Sequence, residues 1–255
     1  MIKTKLTVYS NKGESAGHLE IPDFAEPIRR DLISRLYRST TLSKRQPYGS
    51  KRTAGMRNVG HNSGANHGIA RLPRVAGGKR GVILASMVGG RSAHAPVVTK
   101  NLKLSINDKE RMIARRSAIM LTFSQEDVVK RGHAISPEIA LPIIVKDNVQ
   151  EISKSSEALE LLTKLGLSED IQRAKDGKKI RAGRGKMRGR RYKEKKSILI
   201  VGTDTRKLGA FASLPGVDIA SVGSLGIGKL APGGKPGRLT VYTESALNQV
   251  LEVFK

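Results

Sequence analysis

From Leu32 to Asn107 the sequence contains no aspartate and no glutamate. The inner part of that window, Lys44 to Lys103, carries Lys44, Arg45, Lys51, Arg52, Arg57, Arg71, Arg74, Lys79, Arg80, Arg91, Lys100 and Lys103. Glycines recur there at positions 49, 55, 60, 64, 68, 77, 78, 81, 89 and 90, and neither a helical nor a strand period persists. Such a segment has too little apolar surface to offset the entropy of ordering it, so it cannot bury a core alone and should be mobile in isolation. Its natural counterpart is a polyanion large enough to wrap. The core must come from the rest of the chain.

A length of 255 residues allows one large domain or two small ones. Hydrophobic residues make up 38%, enough for a core once the basic stretches are set aside. The balance of 47 basic against 22 acidic residues gives a net charge of +25. An excess of that size repels itself unless neutralised, which argues for nucleic acid or an anionic surface as a standing partner. Cysteine is absent, removing disulfides, thiolate metal sites and cysteine nucleophiles together. The N-terminal Met1-Ile-Lys-Thr-Lys-Leu6 has no apolar stretch of signal-peptide length, and no run approaches a membrane span. The basic residues lie on no amphipathic helix, so no membrane partner is expected. The expectation is a soluble, intracellular protein.

Ile2, Leu6 and Val8 alternate with polar residues as in a half-buried strand. Pro27 can open a helix whose Ile28, Leu32 and Leu36 share one face, with Arg30 and Arg38 opposite. Asn107 with Glu110 three residues on reads as a capping box, and Met112, Ile113, Ile119, Met120 and Phe123 as that helix's apolar side. Ile139 to Val145 reads as a strand interrupted by Pro142. Ser155 or Ser156 caps a helix turning Ala158, Leu159, Leu162 and Leu165 inward and ending at Gly166. Arg173 to Lys196 is a second basic stretch.

Ile198 to Val201, wholly apolar and ending at Gly202, suits a central strand buried on both faces. Val217, Ile219 and Val222 mark another strand, Leu239 to Tyr242 a third, and Ala246, Leu247, Val250 and Leu251 a final helix. Strands separated by helices predict an α/β fold: one domain over 1–255, with 44–103 and 173–196 as extensions of it.

Motifs that suggest chemistry fail on inspection. Gly223-Ser-Leu-Gly-Ile-Gly228-Lys229 fits most of a phosphate-binding loop, but Leu230 stands where a magnesium-binding Ser or Thr is needed. Pro232-Gly233-Gly234 limits any following helix to about one turn, too short to present its free N–H groups to a phosphate. Gly183-Arg-Gly185 lies in a charged loop instead of at a strand-to-helix turn. His61, His67 and His94 have no cysteine to join them and no carboxylate nearby to orient them, so no metal site is expected. His18 and His133 read as ordinary surface or strand-end residues. No catalytic residues and no cofactor are predicted.

The basic stretches read instead as an RNA interface. The loop contributes Lys44, Arg45, Lys51, Arg52, Arg57, His61, Lys79, Arg80, Arg91 and His94. The second stretch contributes Lys178, Lys179, Arg181, Arg184, Lys186, Arg188, Arg190, Arg191 and Tyr192. Gly183, Gly185 and Gly189 let backbone amides approach phosphates, and arginine both contacts phosphate bidentately and stacks on bases. Two antiparallel arms of about 30 residues at roughly 3.3 Å each would put the tip at most on the order of 100 Å out. A duplex needs no such probe; a folded RNA with interior crevices does. A nucleotide-acting enzyme and a DNA-compacting protein are the rival classes.

An ordered set of motifs then identifies a relationship. Arg30-Asp31-Leu32-Ile33, Gln46-Pro47-Tyr48-Gly49-Ser50, Gly90-Arg91-Ser92-Ala93-His94 and Asn107-Asp108-Lys109-Glu110-Arg111 are followed by Ala182-Gly183-Arg184-Gly185 through Arg188-Gly189-Arg190. The longest is Leu230-Ala-Pro-Gly-Gly234-Lys-Pro236-Gly237-Arg238-Leu-Thr-Val-Tyr-Thr-Glu-Ser-Ala246. The chain resembles, over essentially its whole length, the uL4 (L4/L1e) family of large-subunit ribosomal proteins in its archaeal and eukaryotic form. The resemblance implies an α/β/α domain on the ribosome's outer surface in the cytoplasm, with a largely parallel central sheet. It implies binding to large-subunit ribosomal RNA early in assembly, near the 5′ region, beside neighbouring large-subunit proteins. It also implies that the loop threads through RNA to line the polypeptide exit tunnel and meet the nascent polypeptide. By position, His67, Ile69, Arg71, Leu72, Pro73, Arg74 and Val75 are expected nearest the tunnel wall.

Overall fold

The apolar run Ile198 to Val201 lies inside a six-stranded sheet and is covered on both faces, as a strand without polar alternation requires. The structure, a computed structural model, describes residues 4–21 and 27–252. A hairpin of β1 (Thr4–Tyr9) and β2 (Ser15–Ile21) leads into α1 (Arg30–Ser43). The basic loop holds the two-residue strands β3 (His61–Asn62) and β4 (Pro73–Arg74). Then come α2 (Asp108–Phe123), α3 (Gln125–Arg131), β5 (Ile143–Val145), α4 (Ser155–Lys164) and α5 (Ser168–Asp176). A short pair, β6 (Lys179–Ile180) and β7 (Tyr192–Lys193), precedes β8 (Leu199–Gly202) and α6 (Gly209–Ala212). The chain finishes with β9 (Asp218–Ser221), α7 (Ile227–Leu230), β10 (Thr240–Thr243) and α8 (Glu244–Glu252).

The sheet order is β2-β1-β5-β10-β8-β9. Only β1 and β2 pair antiparallel; the other neighbours are parallel. Successive strand residues point to opposite faces, and each face has its own core. Leu6, Val8, Ile144, Leu199, Val201 and Tyr242 pack with residues of α1, α2, α7 and α8. Ile143, Val145, Ile198, Ile200 and Val241 pack with residues of α3, α4, α5 and α6. The fold is therefore the expected α/β/α arrangement. Contacts divide the chain into two compact units, Met1–Thr40 with Ser105–Lys255, and Thr41–Leu104.

Several local expectations are corrected. Helix α1 begins at Arg30, leaving Ile28 exposed, and its inward face is Leu32, Ile33 and Leu36. No side-chain cap forms at Asn107; Glu110 instead accepts an ion pair from Arg35 at 3.2 Å. In α2 the buried residues are Ala114, Ser117, Ala118, Ile119, Leu121 and Thr122, while Met112 and Ile113 are exposed. Pro142 confines the β5 strand to three residues, since proline cannot donate to the ladder. Helix α4 starts at Ser155 with no side-chain cap and buries Leu161 in place of Leu159. Gly166 does end it, at φ +74°. Strand β2 and helices α3 and α5 are additional elements, and Ile2 lies outside the described residues.

Candidate nucleic-acid interface

The 41–104 unit is a hairpin whose arms touch directly through glycine. Gly55 has φ +76°, and a β-carbon there would sit 2.5 Å from the backbone of Gly90 and Arg91. At Gly60 a β-carbon would lie 2.5 Å from Val82 Cγ2. Ser50 N donates to Pro96 O at 3.0 Å nearer the base of the hairpin. Larger residues at these crossings would force the arms apart.

Toward the tip the chain doubles back. His61 pairs with Arg74 and Asn62 with Pro73, and Arg74 bridges Gly81. Val82 N donates to Pro73 O at 2.9 Å and Val75 N to Arg80 O at 3.1 Å. Three short segments thus lie side by side around Val82, the one buried apolar side chain in the unit. Two turns leave this platform, 63–71 and 76–79.

The expected tunnel stretch divides between these parts. His67, Ile69 and Arg71 lie exposed on the first turn, whereas Leu72, Pro73 and Arg74 are half-buried in the platform and Val75 is exposed beyond it. Arg74 donates to Lys79 O across the second turn. The sidedness is electrostatic as well as geometric. Eleven of the unit's twelve lysines and arginines, all but Arg74, are exposed. With no carboxylate in the unit, none of them has an internal counter-ion. His61, His67 and His94 are exposed, and no metal-binding group of His, Cys, Asp or Glu occurs among the described residues.

The second basic stretch is a smaller hairpin. Lys179 pairs with Lys193 and Ile180 with Tyr192. Arg181 turns inward, donating from Nε to Arg190 O at 3.1 Å and from Nη2 to Tyr192 O at 3.3 Å. Lys178 and Arg191 lie 5.2 and 5.6 Å from the Tyr192 ring centre, and Lys178 also pairs with Glu194 at 2.9 Å. Arg181, Lys178 and Tyr192 therefore shape the hairpin, leaving Lys179, Arg184, Lys186, Arg188, Arg190 and Arg191 projecting into solvent.

The root of that hairpin is held by buried groups that sequence reasoning missed. Asp170 is completely buried and accepts from His133 Nδ1 at 3.1 Å, Ala134 N at 3.0 Å, Arg173 Nε at 2.8 Å and Ser197 Oγ at 2.6 Å. Burial pushes its carboxyl up, but the bonds from His133, Arg173 and Ser197 outweigh that and hold it far below the ordinary range. Burial also pulls His133 down, against the upward pull of Asp170. His133 is thus a core residue, not the surface or strand-end residue its polarity suggested. Arg173 Nη2 reaches Lys196 O at 3.0 Å, joining both roots. Nothing in the local sequence announces Asp170, because an acid in the first turn of a helix ordinarily faces water.

Arg238 is the other hidden group. It has no exposed surface, and it donates to Ser197 O, Lys229 O and Ile198 O at 3.0, 2.8 and 3.3 Å while pairing with Asp218 at 2.8 Å. Arg131 seats the same loop by donating to Pro232 O at 3.1 Å, and burial pulls it down to about 10. The position of Arg238 inside the long Leu230–Ala246 motif was the one available signal. The same architecture disposes of the phosphate-loop resemblance. Helix α7 is four residues long, and Lys229 Nζ donates to Ile219 O on the sheet's edge strand at 2.9 Å. That lysine closes an exposed edge carbonyl. Among the described residues no helix is long and apolar enough to cross a membrane.

Comparison with known proteins agrees with this architecture. The profile described as "Ribosomal protein L4/L1 family" matches residues 19–253. A protein of Thermoplasma acidophilum named large ribosomal subunit protein uL4 is 54% identical over 253 residues, covering 99% of each chain. Its namesake in Methanocaldococcus jannaschii is 46% identical over 253 residues, covering 98% of this chain and all of the relative. The one in Halorubrum lacusprofundi is 41% identical over 247 residues, covering 96% of this chain and 98% of the relative. With a sheet domain, two basic hairpins and this full-length similarity, the chain belongs to the ribosomal protein L4/L1 family.

Proposed function

We propose that this chain is a structural component of the large ribosomal subunit that binds its RNA through two basic extensions, with the longer one lining part of the polypeptide exit tunnel. The family is one of ribosomal proteins, not enzymes, and the ribosome places the chain in the cytoplasm. In this reading the sheet domain is the anchor and the extensions are 41–104 and 177–196, the latter shorter than the expected 173–196 because residues 173–176 complete α5. Lys44, Arg45, Lys51, Arg52, Arg57, Lys79, Arg80 and Arg91 contact RNA from the loop. Lys179, Arg184, Lys186, Arg188, Arg190 and Arg191 contact it from the second hairpin. The exposed turn carrying His67, Ile69 and Arg71 meets the nascent polypeptide.

The observation that carries this proposal is the imbalance inside the 41–104 unit. Val82 is its one buried apolar side chain, too little apolar burial to offset the entropy of ordering a segment this long. The deficit and the uncompensated cations call for the same remedy, a large structured polyanion. Phosphate contacts release counterions and supply affinity, while arginine stacking and shape supply selectivity. RNA suits the apolar tip better than DNA does, because only a folded RNA offers crevices that a two-armed probe can enter.

The test is sedimentation of the chain with large ribosomal subunits, followed by a high-salt wash and by filter binding to ribosomal RNA and duplex DNA at matched salt. Co-sedimentation, preference for ribosomal RNA and affinity falling steeply with salt are expected. A nearly flat salt dependence, or equal affinity for duplex DNA, would overturn the electrostatic account.

A further inference from the structure

The N-terminal part of the α2 face that sequence periodicity assigns to the core is, among the described residues, one wall of an open groove. Met112, Arg115, Arg116 and Ile119 stand at i, i+3, i+4 and i+7 on one helical stripe. Val222, Leu225 and Val250 form the facing wall, enclosing about 200 Å³. Met112 is 53% exposed and its neighbour Ile113 38%. The interior is aliphatic and thioether, while the rim is cationic. Arg115 is exposed and makes no ion pair or side-chain hydrogen bond among the described residues. Its helix neighbour Arg111 is matched by Asp108 at 2.7 Å.

We propose that this groove docks a protein segment that inserts a large apolar side chain and places an aspartate or glutamate against Arg115. Two observations favour protein over RNA as occupant. The walls contain no aromatic ring for a base to stack on, and inside the arginine rim they offer no polar side chain. A buried base would leave its polar edge atoms unpaired, which is unfavourable, whereas a leucine or phenylalanine side chain gains from the same burial. The second is charge. The basic extensions proposed for RNA carry clusters of cations on glycine-rich loops, whereas here a single unpaired arginine borders an apolar cavity, the pattern of a hot-spot pocket with a charged rim. This surface goes beyond the RNA-binding role and rests on it only in that the assembled subunit supplies the partner.

The test places a photoreactive benzoylphenylalanine at position 112 of the full chain and irradiates assembled large subunits. Cross-linking to a protein peptide with Asp or Glu within a few residues of Leu, Phe or Met is expected. In the same background Arg115→Glu should lower the yield about fivefold and Arg115→Lys should leave it near the starting level. Cross-linking to RNA, to residues 253–255 of the same chain, or to a peptide indifferent to Arg115→Glu would overturn the proposal. So would no cross-link in particles that contain the chain. Failure of the chain to enter large subunits at all would instead refute the ribosomal reading, so the two failures are distinct. Both substituted positions are exposed, and an unchanged circular dichroism melt verifies that each variant folds.

Discussion

Arg238 and Arg57 are the same side chain in opposite circumstances. Arg238 is fully buried, its donors used on three carbonyls and on Asp218, and its charge is balanced on the spot. Arg57 lies exposed in a unit without a single carboxylate. The contrast extends to the two units. In the sheet domain, Arg30 pairs with Asp127, Arg35 with Glu110, Arg173 with Asp170 and Lys196 with Asp218. In the loop unit no cation has a carboxylate partner. One region uses charge to fix its own geometry; the other leaves its charge unpaired, as the proposed RNA contact requires.

That contrast can be broken from either side. The largest effect is expected from Arg238→Met, which leaves three carbonyls without their donor and Asp218 with Lys196 as its remaining ion-pair partner. Three lost hydrogen bonds to carbonyls at about 1 kcal/mol each give a fall in melting temperature of roughly 6–12 °C for a chain of this size. The salt dependence of RNA binding should stay as it was. A melt that barely moves would show that Arg238 is not integral to the domain.

The converse experiment neutralises Lys51, Arg52 and Arg57 to glutamine. Each lost phosphate contact lowers the slope of log affinity against log salt by about 0.7–0.9, so the slope should fall by about 2–3. The melting temperature should be unaffected. If the slope is unchanged and the protein is less stable, these residues belong to the fold and not to the interface.

Acid should attack the paired region alone. Asp170 has a folded value far below its unfolded value near 4, so its contribution is complete above that pH and is lost as pH falls below it. His133 is also depressed on folding, so its contribution is present at neutral pH and declines from about pH 6.5 downward. Denaturant melts from pH 7.5 to 3 should therefore lose stability first below about 6.5 and more steeply below about 4. Asp170→Asn should flatten the lower part of that decline.

Two smaller effects sharpen the boundary. Val82→Ala should cost about 1–2 kcal/mol locally, seen as faster amide exchange over residues 60–62 and 72–75 while the global melt stays put. Exchanging the 64–70 turn for a short glycine-serine link should spare both the platform and RNA binding. A longer deletion through Val75 would remove the strand on which Val82 rests. Smallest of all, Lys229→Met should cost about 1 kcal/mol, the value of one hydrogen bond to an edge carbonyl. A large loss would contradict that modest structural role.

Much of this was legible in the residues. Ile198–Val201 had to be an interior strand because no polar residue interrupts it, and Gly166 had to end α4 because few other residues tolerate its φ. The acid-free window marked itself as a segment without a core. What failed was the assignment of faces. Met112, Ile113 and Leu159 were expected inside, since periodicity sees only one helix at a time and cannot tell which side its neighbours occupy. His133 looked like a surface or strand-end residue for the same reason, and Asp170 stood in no motif. Their burial depends on each other, on Arg173 and on Ser197, which lie up to 64 positions apart in sequence.

Composition and local pattern alone decided that the chain has an α/β body, that one long basic segment is acid-free and lacks a core of its own, and that its phosphate-loop likeness is empty. Those conclusions rest on charge, hydrophobicity and backbone stereochemistry, which are properties of residues and their near neighbours. Only the tertiary structure decided which arginines are internal clamps and which are free, that Arg181 builds its hairpin, and that one side of α2 is left open. Those depend on which distant groups arrive at bonding distance, because the free energy of a buried charge is set by its partners and not by its identity.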